Sequence, residues 1–181
     1  MTPIEQLMHE HEVILMVIDA VERDVAAMRH EHSIHPERIR RMLDFFRNFA
    51  DHCHHAKEEN HLFKLMTERG FPAEMGPIAV MLSEHNHSRQ LLRNVEAALS
   101  DAAEGNADAI ETVAENLGTY AELLRAHIGK EDHILYPMAN RAFTDDDQAH
   151  LQQAFEKVER EEIGEGTHEK YHQLAHELAG K

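Results

Sequence analysis

The segment DHCHHAKEENHLF, residues Asp51–Phe63, decides the fold because it sets four histidines and two glutamates among apolar residues at helical spacing. The same apolar periodicity extends back through RMLDFFRNFA at 41–50. Pro36 suits the first turn of a helix, and Gly70 followed by Pro72 ends one. The segment therefore predicts the second half of one long helix that carries imidazole and carboxylate groups.

Three more long helices follow from the same signals. The first opens with TPIE, where Thr2 and Glu5 can form a capping box. The third begins after Gly76, and the fourth is capped by Asn106 and bounded by Pro137. Four long amphipathic helices with short connections predict an all-α fold, an antiparallel up-down four-helix bundle of residues 1–140. Residues 141–181 predict a C-terminal helical extension, two additional helices packed on the bundle.

Composition narrows the classes of partner. The 181 residues carry 17 histidines and a formal net charge of −16, and no basic patch is visible, so nucleic acid is not expected as a partner. The first residues resemble no export signal, and no apolar run is long enough to span a membrane. A single cysteine, Cys53, forms no internal disulfide, so we expect a cytoplasmic protein.

The histidines on the apolar faces repeat at a fixed spacing. An EH pair at 10–11 precedes HHAKE at 54–58, and a second EH pair at 84–85 precedes HIGKE at 127–131. Residues four apart are neighbours on a helix, so each His-x-x-x-Glu can present one nitrogen and one oxygen to the same point. The predicted metal ligands are His11, His54, Glu58, His85, His127 and Glu131.

Four imidazoles and two carboxylates in a dry core would be unsatisfied without cations between them, and two carboxylate-bridged divalent metals resolve this. Nitrogen and oxygen donors without thiolate favour two iron ions, with zinc and manganese as alternatives. The register on the second helix stays open. Matching Lys57-Glu58 to the fourth helix selects His54, whereas matching His61 to its counterpart selects His55 and Glu59.

Four stretches resemble the hemerythrin-like, or HHE cation-binding, family over residues 1 to about 140: LMHEHEVI, CHHAKEENHLF, GPIAVMLSEHNHSRQLL and HIGKEDHILYP. The tail resembles the C-terminal extension of a bacterial subgroup. The resemblance implies a four-helix bundle with a non-haem di-iron centre that binds O₂ or handles peroxide, nitric oxide or iron. Oxygen carriers of the family have His-x-x-x-His on the third helix, where this chain has Arg89, so His61, His87 or a tyrosine would replace that ligand.

Three functions are compatible with these patterns. The first is a carrier or sensor that binds a gas or peroxide ligand reversibly. The second is a di-iron oxidase or peroxidase supplied by a redox partner protein, with an acid such as Glu59 or Glu84 relaying protons. The third is an iron-sensing, storage or structural bundle without turnover, in which metal orders the chain. The sequence assigns no catalytic residue.

Overall fold

The structure is a computed structural model that describes residues 1–164 and 166–180, and all regular elements in those two ranges are helical. The predicted all-α class is confirmed. The six helices, numbered in chain order, are α1 Pro3–Glu31, α2 36–68, α3 Gly76–Ala103, α4 107–142, α5 145–163 and α6 Thr167–Ala179. In the described ranges, no helix is long and apolar enough to cross a membrane.

The helix starts predicted at Thr2 and Asn106 are confirmed by capping hydrogen bonds. Thr2 and Glu5 form the capping box, and the Asn106 side chain accepts a hydrogen bond from the backbone of Ala109 at 3.0 Å. Thr144 caps α5 in the same way, with Asp147 completing a second box. These polar side chains satisfy amide groups that the first turn of a helix leaves without partners.

The prediction that Pro137 bounds α4 is wrong, because α4 continues to Ala142. Pro137 is the second residue after the π-helical segment Glu131–Leu135, in which backbone bonds reach back five residues. Proline breaks a regular helix by removing a hydrogen bond and by pushing its ring against the preceding turn. We attribute its tolerance here to the wider turn, which changes both the bonding pattern and the space in front of the ring.

Two further π-helical segments, Phe46–His55 and Glu58–Leu62, interrupt α2. A π turn changes the direction of every following side chain relative to a continuous α-helix. The segments therefore alter which histidines of α2 face the interior.

Pairs of contacting residues show how the long helices run beside one another. From α1 to α4, Arg125 bonds Glu22 and His11 bonds Asp132, so later residues of one helix meet earlier residues of the other. From α2 to α3, Arg47 bonds Glu96 and Arg89 bonds Asp51 in the same reversed order. This order is what antiparallel neighbours require. The helices α5 and α6 contact α1 and α2, while the division of the chain at residue 140 stays a prediction.

Two hydrophobic clusters fill the interior. The first contains Val13 and Ala50 together with further residues of α1, α2, α3, α4 and α6, and the second contains Ile4, Leu62 and Leu135. Buried polar residues lie along the chain between the members of these clusters: Glu10, His11, His54, His55, Lys57, Glu58, His85, Ser88, His127 and Glu131. The polar layer contains all six predicted metal ligands.

Candidate metal centre

The structure brings the six predicted ligands together in two overlapping groups. In each group, the candidate donor atoms all lie within 4.8 Å of one another, and every member is buried. We call them the two-histidine site, formed by His11, His54, Glu58 and Glu131, and the three-histidine site, formed by His55, His85, His127 and Glu58.

The two glutamates lie between the sites. Glu58 belongs to both groups. Glu131 places one oxygen 3.3 Å from His11 Nε2 and the other 3.1 Å from His127 Nε2, so its carboxylate also reaches toward both sites. Both glutamates are the first residues of π-helical segments, which sets them at equivalent points of α2 and α4. This arrangement suits a pair of bridging carboxylates.

Each histidine of the two groups has a carboxylate behind it, on the ring nitrogen Nδ1. The pairs are His11 with Asp132 at 2.7 Å, His54 with Glu10 at 2.9 Å, His85 with Glu59 at 2.7 Å, His127 with Glu84 at 2.8 Å and His55 with Asp51 at 3.4 Å. An ionised carboxylate only accepts hydrogen bonds, so Nδ1 carries the proton in each pair and a neutral ring keeps its lone pair on Nε2. Carboxylates arranged in this way orient metal-binding imidazoles.

The closest approach of two imidazoles points to a cation. His85 Nε2 and His127 Nε2 lie 3.0 Å apart, while the Nδ1 atom of each ring faces its own carboxylate. With both protons on Nδ1, two lone pairs would face each other. A cation between the nitrogens removes this repulsion, and in the metal-free centre a second proton on His127, whose pKa is raised by Glu131 against the effect of burial, can do the same.

Several buried atoms of the centre also lack hydrogen bonds. They include His54 Nε2, Glu58 Oε2 and both oxygens of Glu131, although imidazole nitrogens lie 3.1 to 3.7 Å from these carboxylates. These contacts are close but not aligned for hydrogen bonding. Unpaired buried polar atoms are costly, and nitrogen and oxygen donors without thiolate suit a divalent cation. The donor set therefore fits metal ions.

Protonation in the absence of metal follows from the same packing. Burial lowers the pKa of His11, but the hydrogen bond to Asp132 and the negative charge of nearby Glu131 outweigh it and raise that pKa to about 9. Burial and the charge of His11 lower the pKa of His54 to about 4. Burial and repulsion from Glu131 raise the pKa of Glu58 well above its ordinary value, whereas the His127 charge outweighs burial and holds the pKa of Glu131 below its own. A proton on His11 thus supplies positive charge in the metal-free centre, and the raised pKa of Glu58 favours its neutral form.

The two candidate groups together include one histidine from each of the two registers considered for α2. His54 and His55 each belong to one of the two candidate groups, so His55 lies where it could replace the histidine that Arg89 does not supply. Among the described residues, neither Glu59 nor His61 belongs to either of the two groups. Glu59 instead accepts from His85 and Arg89, and His61 packs its ring 6.4 Å from that of Phe155.

Sequence reasoning missed two buried residues beside the centre. The phenol of Tyr136 donates to Glu58 Oε1 at 2.8 Å and lies 3.3 Å from His11 Nε2. Lys57 is fully buried, and its ammonium group lies 2.5 Å from Glu10 Oε1. A signal for the lysine was present, since the Lys-Glu pairs at 57–58 and 130–131 repeat, and Lys130 likewise bonds Glu84.

Comparisons with known proteins agree with this site. The family model described as the hemerythrin HHE cation binding domain matches residues 2–139. An uncharacterized protein of Mycobacterium bovis, Mb2018, is 22% identical over 161 residues, which cover 89% of this chain and 62% of that protein. The uncharacterized proteins MT2051 and Rv1995 of Mycobacterium tuberculosis match to the same extent.

The chain thus spans less than two thirds of the length of these relatives. No solved structure gives a significant match. The family match covers most of the chain and includes all the histidines and both glutamates of the two sites, which confirms the resemblance found in the sequence. The chain therefore belongs to the hemerythrin HHE cation-binding family.

Proposed function

We propose that this chain is a non-haem di-iron protein that binds O₂, nitric oxide or peroxide between its helices. The observation that supports this most directly is the carboxylate behind each of the five imidazoles, which turns their Nε2 atoms toward Glu58 and Glu131. Such pairs are expensive to bury and have no purpose in packing alone.

In this proposal, His11 and His54 hold one ion, and His55, His85 and His127 hold the other, with Glu58 and Glu131 bridging. The two-histidine site has one imidazole fewer, so it is the better candidate for an external ligand. Iron in such nitrogen and oxygen surroundings supplies a Lewis acid that can also change its oxidation state.

A protonated phenol and buried apolar side chains surround the two-histidine site. Burial and nearby Glu58 raise the pKa of Tyr136 well above its ordinary value, so the phenol stays protonated and can donate a hydrogen bond. Ile4 and Leu7 of α1 and Leu135 of α4, all buried, lie next to it in the same hydrophobic cluster. The site therefore combines one fixed hydrogen-bond donor with apolar walls.

The carboxylates that the sequence suggested as proton relays have other partners. Glu84 uses its two oxygens for Lys130 and His127, and Glu59 holds His85 and Arg89 through one oxygen. Hydrogen bonds from these groups outweigh burial and lower the pKa of both glutamates, which keeps them ionised. They position imidazoles, and this favours ligand binding over proton-coupled turnover.

The test is to load the protein anaerobically with Fe(II), measure iron per chain, and record the optical spectrum while O₂ or nitric oxide is admitted and removed. We expect two irons per chain and a charge-transfer band that reverses. Irreversible conversion to a ferric species would favour an oxidase or peroxidase instead. Failure to bind iron stoichiometrically, with uptake of zinc or manganese, would overturn the di-iron proposal.

One observation also favours an iron-sensing role. Buried atoms without hydrogen bonds, among them His54 Nε2, Glu58 Oε2 and both oxygens of Glu131, make the metal-free centre unfavourable, so metal binding is expected to stabilise the fold. A sensor of this kind would show a large change in stability on loading and no optical response to O₂.

A further inference from the structure

We propose that the C-terminal extension is part of the metal centre: Glu159 of α5 positions His54 through Lys57 and Glu10. The inference rests on the proposed two-metal function and assigns a role to a residue outside the region that the family model covers. Glu159 is a positioning residue in this scheme, two side chains removed from the imidazole.

The chain of contacts begins at a buried ammonium group. Lys57 is fully buried, and its Nζ lies 2.5 Å from Glu10 Oε1 and 2.6 Å from Glu159 Oε1. The ring of Phe155 covers it at 5.7 Å. A buried charge is tolerated only when it is paired, and Lys57 obtains one partner from α1 and the other from α5. The extension thus supplies half of the charge compensation.

From Lys57 the contacts continue to the two-histidine site. Glu10 is 1% exposed and uses its second oxygen to accept from His54 Nδ1 at 2.9 Å. Because the two oxygens of a carboxylate are rigidly joined, fixing one on Lys57 fixes the other on His54. The orientation of the imidazole therefore depends on where the ammonium group is held.

Glu159 is itself held in place. Gln6 of α1 donates to the same Glu159 oxygen at 2.6 Å, and the buried side chains Leu151 and Phe155 anchor α5 in a hydrophobic cluster. Glu10, Glu159 and His168 could by spacing hold a cation, but the ammonium group of Lys57 already lies against both carboxylates. We therefore interpret this group as a clamp on Lys57, not as a further metal site.

An equivalent series of hydrogen bonds in the other half of the bundle lacks a residue like Glu159 among those that the structure describes, so the effect of Glu159 is expected at one metal site only. Lys130 bonds Glu84, and Glu84 bonds His127, which repeats the order of Lys57, Glu10 and His54. The Lys130 side chain is 37% exposed, so water can solvate it, whereas Lys57 depends on Glu159. Loss of the Glu159 charge should therefore affect the two-histidine site and leave the three-histidine site unchanged.

The experiment compares Glu159→Gln with wild type in anaerobic Fe(II) titrations of the full chain, with binding measured by calorimetry. We expect one of the two stepwise dissociation constants to rise roughly threefold to tenfold, below the about 10–100-fold change typical of a group that contacts a ligand directly. Glu161→Gln is the matched control, since Glu161 lies on the same π-helical segment and, in the described part of the chain, forms only exposed ion pairs, with Arg160 and Lys157, which contribute little. The control should leave both constants unchanged.

A second readout separates positioning from general stability. In Co(II)-loaded protein, paramagnetically shifted imidazole N–H resonances report each ring, and Glu159→Gln should move one of them, with Glu159→Asp restoring part of the shift. Equal weakening of both steps together with a lower melting temperature would show a merely structural role and overturn the inference, as would two unchanged constants. If wild-type protein does not bind two ions at all, the proposed function itself fails, which is a distinct result.

Discussion

Raising the pH of the metal-free protein from 6.5 to 9 should lower its free energy of unfolding by about 3 kcal/mol, because His11 loses its proton over this range. The pKa of His11 rises from 6.5 to about 9 in the folded chain, since its hydrogen bond to Asp132 and the negative charge of nearby Glu131 outweigh burial. At about 1.4 kcal/mol for each pH unit, this rise corresponds to about 3 kcal/mol.

The sign follows from comparing folded and unfolded chains. A histidine whose folded pKa is raised contributes stability that is complete below pH 6.5 and lost as the pH passes 9. Charge attraction from Glu131, although opposed by burial, also raises the pKa of His127, so it acts in the same direction. Burial lowers the pKa of His54, and that contribution varies only below pH 6.5. Burial raises the pKa of Cys53 from 9.0 to about 12. Ionisation of this thiol in the unfolded chain therefore affects the free energy of unfolding only near pH 9.

The assay is urea unfolding at pH 6.5, 7.5, 8.5 and 9.0, with chelator and then with saturating metal. Metal competes with the His11 proton, so metal affinity should rise with pH and offset the loss in the loaded protein. The unfolding free energy of the loaded protein should therefore stay nearly level while that of the metal-free protein falls.

His11→Gln should remove most of the pH dependence of the metal-free protein. His133→Gln is the matched control, because His133 is exposed and lies two residues after Glu131. A metal-free wild-type protein whose unfolding free energy is level from pH 6.5 to 9 would refute the reasoning about the hydrogen bonds of His11.

Three further predictions concern the centre. Glu58→Ala should abolish binding of two ions per chain, measured by elemental analysis, because Glu58 belongs to both sites. Asp132→Asn should weaken metal binding about 10–100-fold in a competition titration, since the neutral amide accepts less strongly from His11 Nδ1. Cys53 should resist thiol labelling at pH 8 until the protein is unfolded, because it is 1% exposed and burial raises its pKa to about 12.

Each of these three predictions can be contradicted by a specific result. Two ions retained by Glu58→Ala would show that the bridging assignment is wrong, with His87→Gln as the control, since His87 is exposed two residues after His85. An unchanged affinity for Asp132→Asn would mean that the hydrogen bond does not orient His11. Rapid labelling of Cys53 in the folded protein would contradict its burial.

The sequence by itself determined the helices, most of their ends and six residues of the candidate metal centre. Capping side chains and apolar periodicity act within one or two turns, so residues that are close in the sequence are enough to predict them. The ligand pairs were predictable for the same reason, because residues four apart share a helix face, as in His54 with Glu58 and His127 with Glu131.

Tertiary structure decided the rest of the centre. His55 joins His54 in a helix interrupted by π turns, which a search for 3.6-residue periodicity does not detect. Asp132 lies behind His11 from 121 residues away, and Glu159 reaches Lys57 from 102 residues away. Such pairs depend on the register between packed helices, and that register is set by the packing of whole hydrophobic faces, not by any local pattern.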